Sequence, residues 1–303
     1  MTRQMSGLES PAPNLDMDSS RKSTNPIAKA AEAPLHEPRV WNTKNLGLRL
    51  ATDFVCGTGA AYMVAPLITV IDKGIMQNAS GQASLKTSLK DSFKTFLLRP
   101  QNLIFSKPFA LICMLYGGTY VTANTLDTLT STAQNKPASH VTSGTAKFAA
   151  SSTANVGLCL IKDSVFAKMF GSGGPPRPVP LPSYALFAFR DCLTIFASFN
   201  IPPLLDPIIS RNMNKELEKS ISGHTIAQFV APAGIQIIST PMHLLGLDLY
   251  NRGGNVSWGD RWQIVKKNWA VSAAARMCRI VPAFGVGGVV NRKLRKNIME
   301  KLE

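Results

Sequence analysis

Three long runs without charge dominate the chain. Phe54 to Ile71 covers 18 residues, Pro108 to Leu126 covers 19, and Thr225 to Leu247 covers 23 with His243 as its one titratable group. Roughly 20 apolar residues rising 1.5 Å each cross a hydrocarbon core, so each run predicts a transmembrane helix. Phe148 to Ile161 and Cys192 to Leu205 are shorter, and Ala273 to Val290 is interrupted by Arg276 and Arg279. Counting these weaker runs gives six crossings; without them three or fewer remain.

Self-comparison organises the six runs into pairs. Phe54-Val55-Cys56 and Gly59 precede Pro66 at the same offsets at which Phe229-Val230-Ala231 and Gly234 precede Pro241, and Phe148-Ala149-Ala150 with Thr153 stand likewise before Leu160. Downstream, Pro66 lies 42 residues before Pro108, Leu160 lies 42 before Pro202 and Pro241 lies 41 before Pro282. A three-way match at both members of a pair marks an internal repeat. The expected fold is therefore all-α, with six transmembrane helices arranged as three tandem helix-pair repeats of pseudo-threefold symmetry: residues 45–133, 140–215 and 221–303, behind a tail of residues 1–42.

The connections carry unequal charge. Those within pairs hold Lys73, Lys86, Lys90, Lys94, Arg99 and Lys107, then Lys162, Lys168, Arg177 and Arg190, then Arg252, Arg261, Lys266 and Lys267. Those between pairs hold Lys136 and Lys147, then Arg211, Lys215 and Lys219. The positive-inside rule puts the first set in the inner compartment and both termini on the opposite side. In the first connection Leu85, Leu89, Phe93 and Phe96 recur at helical spacing between lysines, and in the third Trp258, Trp262, Ile264 and Trp269 do so, which suits short helices lying on the membrane surface or packed on the bundle. Gly171 to Pro182 reads as a loop in the same place of the second pair.

Composition supports a membrane chain. Of 303 residues 45% are hydrophobic and 17% charged, against roughly 25% charged in soluble domains. The net charge of +15 is scattered rather than gathered on a face with aromatics, so the lipid bilayer and not nucleic acid is the expected partner. The tail is rich in Ser, Pro and mixed charge, predicts disorder and is a segment for protein partners; it has no secretory core, and Glu9, Asp16 and Asp18 depart from an acid-poor presequence. Cys56, Cys113, Cys159, Cys192 and Cys278 are far apart and read as buried free thiols, with no metal-ligand spacing. No nucleophile–base order, carboxylate pair or phosphate-binding glycine loop points to an enzyme or a cofactor; Gly285-Val286-Gly287-Gly288 falls inside an apolar run, where close packing explains it.

Three helix pairs, a surface helix within each pair and small residues upstream of a proline resemble the mitochondrial carrier family over about residues 45–297. In that family, odd helices kink at Pro-x-Asp/Glu-x-x-Lys/Arg; here Pro66 and Pro241 keep the proline and the kink it implies, while Pro66 to Ile71, Leu160 to Val165 and Pro241 to Gly246 lack the charge pattern. Gly59 and Gly234 would allow close backbone approach. The resemblance places Phe105 before Pro108, Phe199 before Pro202 and Arg279 before Pro282 at substrate-contact positions, and it implies a mitochondrial membrane, the inner one first, with the outer and peroxisomal membranes as alternatives.

An ionisable group inside a span is a functional-site hypothesis by default. Arg279, with Arg276 nearby, is the candidate for holding an anionic group; its alternative is snorkelling to lipid phosphate. Phe105 and Phe199 are either ligand platforms or packing residues. Arg190 and Asp191 could line a cavity or pair structurally, Asp72 and Asp248 could pair with Lys73 or Lys162, and His243 could be a hydrogen-bonded structural residue. Two functions follow: a carrier moving a small anionic or amphipathic metabolite by alternating access, or a carrier-shell scaffold that no longer transports.

Overall fold

The first apolar run extends well past its own limits. In the computed structural model, which describes residues 40–142, 145–171, 178–214, 221–253 and 256–303, helix α1 (Leu46–Ala79) is 34 residues long and takes in both Asp53 and Asp72, the charges that bound the run. The other elements are α2 (Leu85–Leu98), α3 (Pro100–Ile104), α4 (Lys107–Ala133), α5 (Thr145–Phe170), α6 (Leu181–Asn200), α7 (Pro202–Asn212), α8 (Gly223–Gly234), α9 (Gln236–Arg252), α10 (Trp258–Cys278), a π-helical stretch Val281–Gly287 and α11 (Gly288–Met299). Every described element is helical. Serine side chains at Ser84, Ser106, Ser222 and Ser257 accept a backbone N–H of the first turn and start α2, α4, α8 and α10. Pro100, Pro108 and Pro202 sit at first-turn positions, where no helical N–H is needed.

Four helical stretches are long and apolar enough to cross a membrane: Leu46–Ala79, Lys107–Ala133, Thr225–Arg252 and Trp258–Met299. Leu181–Ser198 with Pro202–Asn212, bent by 46°, makes a fifth if it is one span. This is a multi-pass helical membrane protein with four or five candidate spans, where the apolar runs predicted six. The shortfall lies at α5, whose run carries Ser151, Ser152, Thr153 and Asn155 and whose helix adds Lys147, Lys162, Asp163 and Lys168.

Successive rods are neighbours. α4 packs on α1 and α5, α5 on α6, α6 on α9, α7 on α8 and α9 on α10, and the π stretch with α11 returns to α1. A core of Ile68, Phe109, Ile112, Phe166, Phe187 and Leu247 fills the middle. The outward face of α1 is apolar, with Phe54, Val55, Tyr62, Met63 and Leu67 all exposed, the arrangement lipid favours.

Several local expectations change. Gly59 and Gly234 face open space; the close approach is made by Gly57, where a Cβ would stand 2.8 Å from Val121 Cγ2 and 3.0 Å from its backbone nitrogen on α4. The tryptophan segment is no separate surface helix, because Arg261 to Met277 contains neither Gly nor Pro and α10 runs on to Cys278. The first connection does break, at Arg99-Pro100, into α2 and α3. Of the cysteines, all free, Cys56 and Cys159 are buried, Cys113 is half-buried, and Cys192 and Cys278 are exposed on the rods' outer faces. Residues 1–39 of the tail and 172–177 of the Gly/Pro stretch lie outside the described residues; Asn42 is held to the bundle, its N–H on the Thr132 carbonyl at 3.0 Å and its own carbonyl accepting from Arg49 at 2.9 Å.

A candidate substrate chamber above a charged floor

α1, α5, α6 and the end of α10 bring the flanking charges of their apolar runs to one level. Asp72 Oδ2 accepts from Lys162 Nζ at 2.9 Å, and both its oxygens accept from Arg279 Nη1, at 2.7 and 3.0 Å. Lys162 also meets Asp163 Oδ1 at 2.7 Å, and Arg190 Nη2 reaches Asp163 Oδ2 at 2.7 Å and Asp191 Oδ1 at 2.6 Å. Arg190 Nη1 lies 2.6 Å from His243 Nδ1, and Arg276 Nε donates to the neutral Gln236 side chain at 3.0 Å. Asp72, Lys162, Asp163, Arg190, Asp191 and Arg276 are all buried. Charges taken out of water are costly unless paired, and the ion pairs of this layer link α1 to α5, α6 and the end of α10.

A second polar layer lies near the start of α1, 19 residues and so about 28 Å from the first along the helix axis. Arg295 Nε donates to Asp53 Oδ1 at 2.7 Å, Asn124 and Asn291 exchange amide hydrogen bonds at 2.9 Å, and Lys147 Nζ pairs with Asp127 at 2.7 Å.

Between the layers is empty space. A cavity of about 530 Å³ is walled by Tyr120, Asn124, Asp127, Lys147, Asn291 and Arg295, with the exposed Lys296 at its rim. A deeper chamber of about 140 Å³ shares Tyr116, Thr119, Ser151 and Asn155 with it and ends on Asp191, Thr194 and Arg279. Below, Asp72, Lys162, His243, Arg276 and Arg279 enclose only about 10 Å³, no more than one water needs. The site thus widens toward the end of the bundle where α1 begins and is closed at its floor by ion pairs.

Arg279 is the residue common to the deeper chamber and the pocket beneath it. It ends α10, and Pro282, three residues on, has no N–H to continue the α pattern, so the chain widens into the π stretch. The Tyr120 hydroxyl donates to the Ala283 carbonyl there at 2.6 Å.

The other expected site residues are scattered. Arg276 lies under the chamber, turned to Gln236. Phe105 ends α3 at the surface, 88% exposed, in the turn that Ser106 and Pro108 cap. Phe199 belongs to α6, and its side chain lies outside the described residues. Pro66 and Pro241 sit inside α1 and α9, which run through them, while the 46° bend falls before Pro202. Arg279 pairs with Asp72, and Asp248 pairs with Arg252 and Arg261, each at 2.6 Å. Sequence reading passed over Asp53, Asn124, Asp127 and Asp163, although Asp53 and Asp127 each stand next to an uncharged run.

No curated protein matches the chain. Residues 56–299 match the family described as "Probable citrulline exporter". That match runs from Cys56, ten residues into α1, to the end of α11, and it overturns the resemblance to mitochondrial carriers, whose ion-pair motifs the prolines here do not carry. The mitochondrial location rested on that resemblance and loses its support with it. By the length of this match, a multi-pass helical chain with a chamber at its centre belongs to the probable citrulline exporter family.

Proposed function

We propose that this protein moves citrulline, or a small polar amino acid like it, unchanged across a membrane by alternating access. One observation carries the reading: a polar chamber that opens toward one end of the bundle and ends on a floor of buried ion pairs. Such a floor separates a water-filled site from the far side and can part without breaking covalent or backbone structure. The family's printed description supplies the substrate class, and the lining suits it, since Thr119, Ser151, Asn155 and Thr194 offer the hydroxyl and amide groups that a ureido side chain can bond.

The reading places six rods across the bilayer. α5 crosses as the least apolar of them, between α4 and α6, with Lys162 and Asp163 turned to the floor and Lys147 to Asp127 in the other layer. Purified protein in liposomes should exchange radiolabelled citrulline for internal citrulline with saturation. Label uptake no greater than that of protein-free vesicles would refute the substrate assignment.

A further inference from the structure

We propose that Asp191 and Arg279 form a clamp for the zwitterionic head of an α-amino acid, and that the substrate carboxylate draws Arg279 away from Asp72. This rests on the transport reading above and adds to it the two recognition residues and the link from binding to the floor.

Asp191 and Arg279 both line the 140 Å³ chamber at its deep end, one a carboxylate and the other a guanidinium. Asp191 uses Oδ1 for Arg190, accepting from Nε at 3.0 Å and Nη2 at 2.6 Å, and its Oδ2 has no hydrogen-bond partner among the described residues. A buried carboxylate oxygen without a donor is costly, and a substrate ammonium would supply one. On the lining of the same chamber, Arg279 spends Nη1 on Asp72, and a guanidinium carries five N–H donors in a planar fork matched to a carboxylate.

The surrounding charge favours the exchange. Lys162, Arg190, Arg276 and Arg279 outnumber Asp72, Asp163 and Asp191 in the layer, so an incoming carboxylate is attracted. Asp72 keeps Lys162 when Arg279 turns to the substrate, and no acid is stranded. Arg279 also stands where the α pattern gives way to the π stretch, a backbone irregularity that can absorb a small shift. Binding energy is thereby spent on loosening the tie between the first and last rods, which is what a ligand must do to change a conformational equilibrium.

The test is binding to the purified full chain in detergent, read with L-citrulline, N-acetylcitrulline, which lacks the ammonium, and citrullinamide, which lacks the carboxylate. The wild type should bind citrulline at least about tenfold more tightly than either analogue. Asp191→Asn should erase the preference over N-acetylcitrulline, Arg279→Lys should weaken the preference over citrullinamide, and Asp72→Asn should tighten citrulline binding several-fold. Citrulline binding with equal affinity for the analogues would overturn the clamp and leave the transport reading standing, and this wild-type comparison holds whether or not a variant folds. A variant of either clamp residue that keeps both preferences would overturn it as well. If neither citrulline nor any other free α-amino acid in a panel bound the wild type, both the clamp and the substrate assignment would fall.

Discussion

Arg279 and Asp72 stand 207 positions apart in sequence and meet at 2.7 Å, fastening the last rod of the bundle to the first. With the pair intact, Met76, 4% exposed beside the tight pocket under the chamber, is shut off from water. In a background without cysteines, Met76→Cys should react slowly with a charged methanethiosulfonate. Adding Asp72→Asn should raise that rate about tenfold or more, and an unchanged rate would mean that other contacts close the floor.

Asp163 forms ion pairs with both Lys162 and Arg190 and is fully buried. Asp163→Asn leaves two buried cations with one acid fewer, a loss of about 3–5 kcal/mol. The detergent melting temperature should fall clearly. Lys296→Ala, at an exposed pair 3.7 Å from Glu300, should leave it within experimental error.

Asp53 and Arg295 form the other layer's buried pair, at 2.7 Å. Asp53→Asn and Arg295→Met should each destabilise the protein by a few kcal/mol, and the double variant by less than their sum. A strictly additive cycle would show that the two side chains do not depend on each other.

Charge asymmetry and the run of rods set a topology that labelling can read. Thr87→Cys on α2 and Gln134→Cys after α4, both exposed, should label from opposite faces of sealed vesicles in a cysteine-free background. Labelling of both from one face would remove α4 as a span.

Gly57 and Gly59 look alike in sequence and differ in surroundings. Gly57→Ala pushes a methyl into the backbone of Val121 and should cost about 1–3 kcal/mol; Gly59→Ala meets nothing within 4 Å and should be neutral or better.

The helical class and the membrane were legible because lipid demands long uncharged runs, and α1, α4 and α8–α9 carry them. The chamber was not legible, and the reason lies in those runs. A search for uncharged segments stops at Asp53, Asp72, Asp127, Lys147, Lys162 and Asp191, yet these bounding residues lie inside the helices, on the rods' inner faces. A charge at the edge of an apolar run marks a membrane boundary only if its side chain looks outward. Which way it looks depends on the neighbouring rod, as Asp72 shows by needing Lys162 from α5 and Arg279 from the far end of the chain. The spacing of prolines was real as a pattern in the sequence, but the family match shows that it did not carry the identity that the carrier resemblance attached to it.

The π stretch decides more than the shape of one turn. Arg276 and Arg295 are 19 residues apart, and at 3.6 residues per turn a continuous α-helix would leave them about 100° out of phase. Both are buried, because seven residues wound more loosely absorb most of that angle. The segment works as a phase corrector, aiming the floor and the mouth of the chamber into the same space from one rod. Its length sets the aim: a single deletion between Val281 and Gly287 would keep every side chain of α11 and roll Asn291 and Arg295 toward lipid.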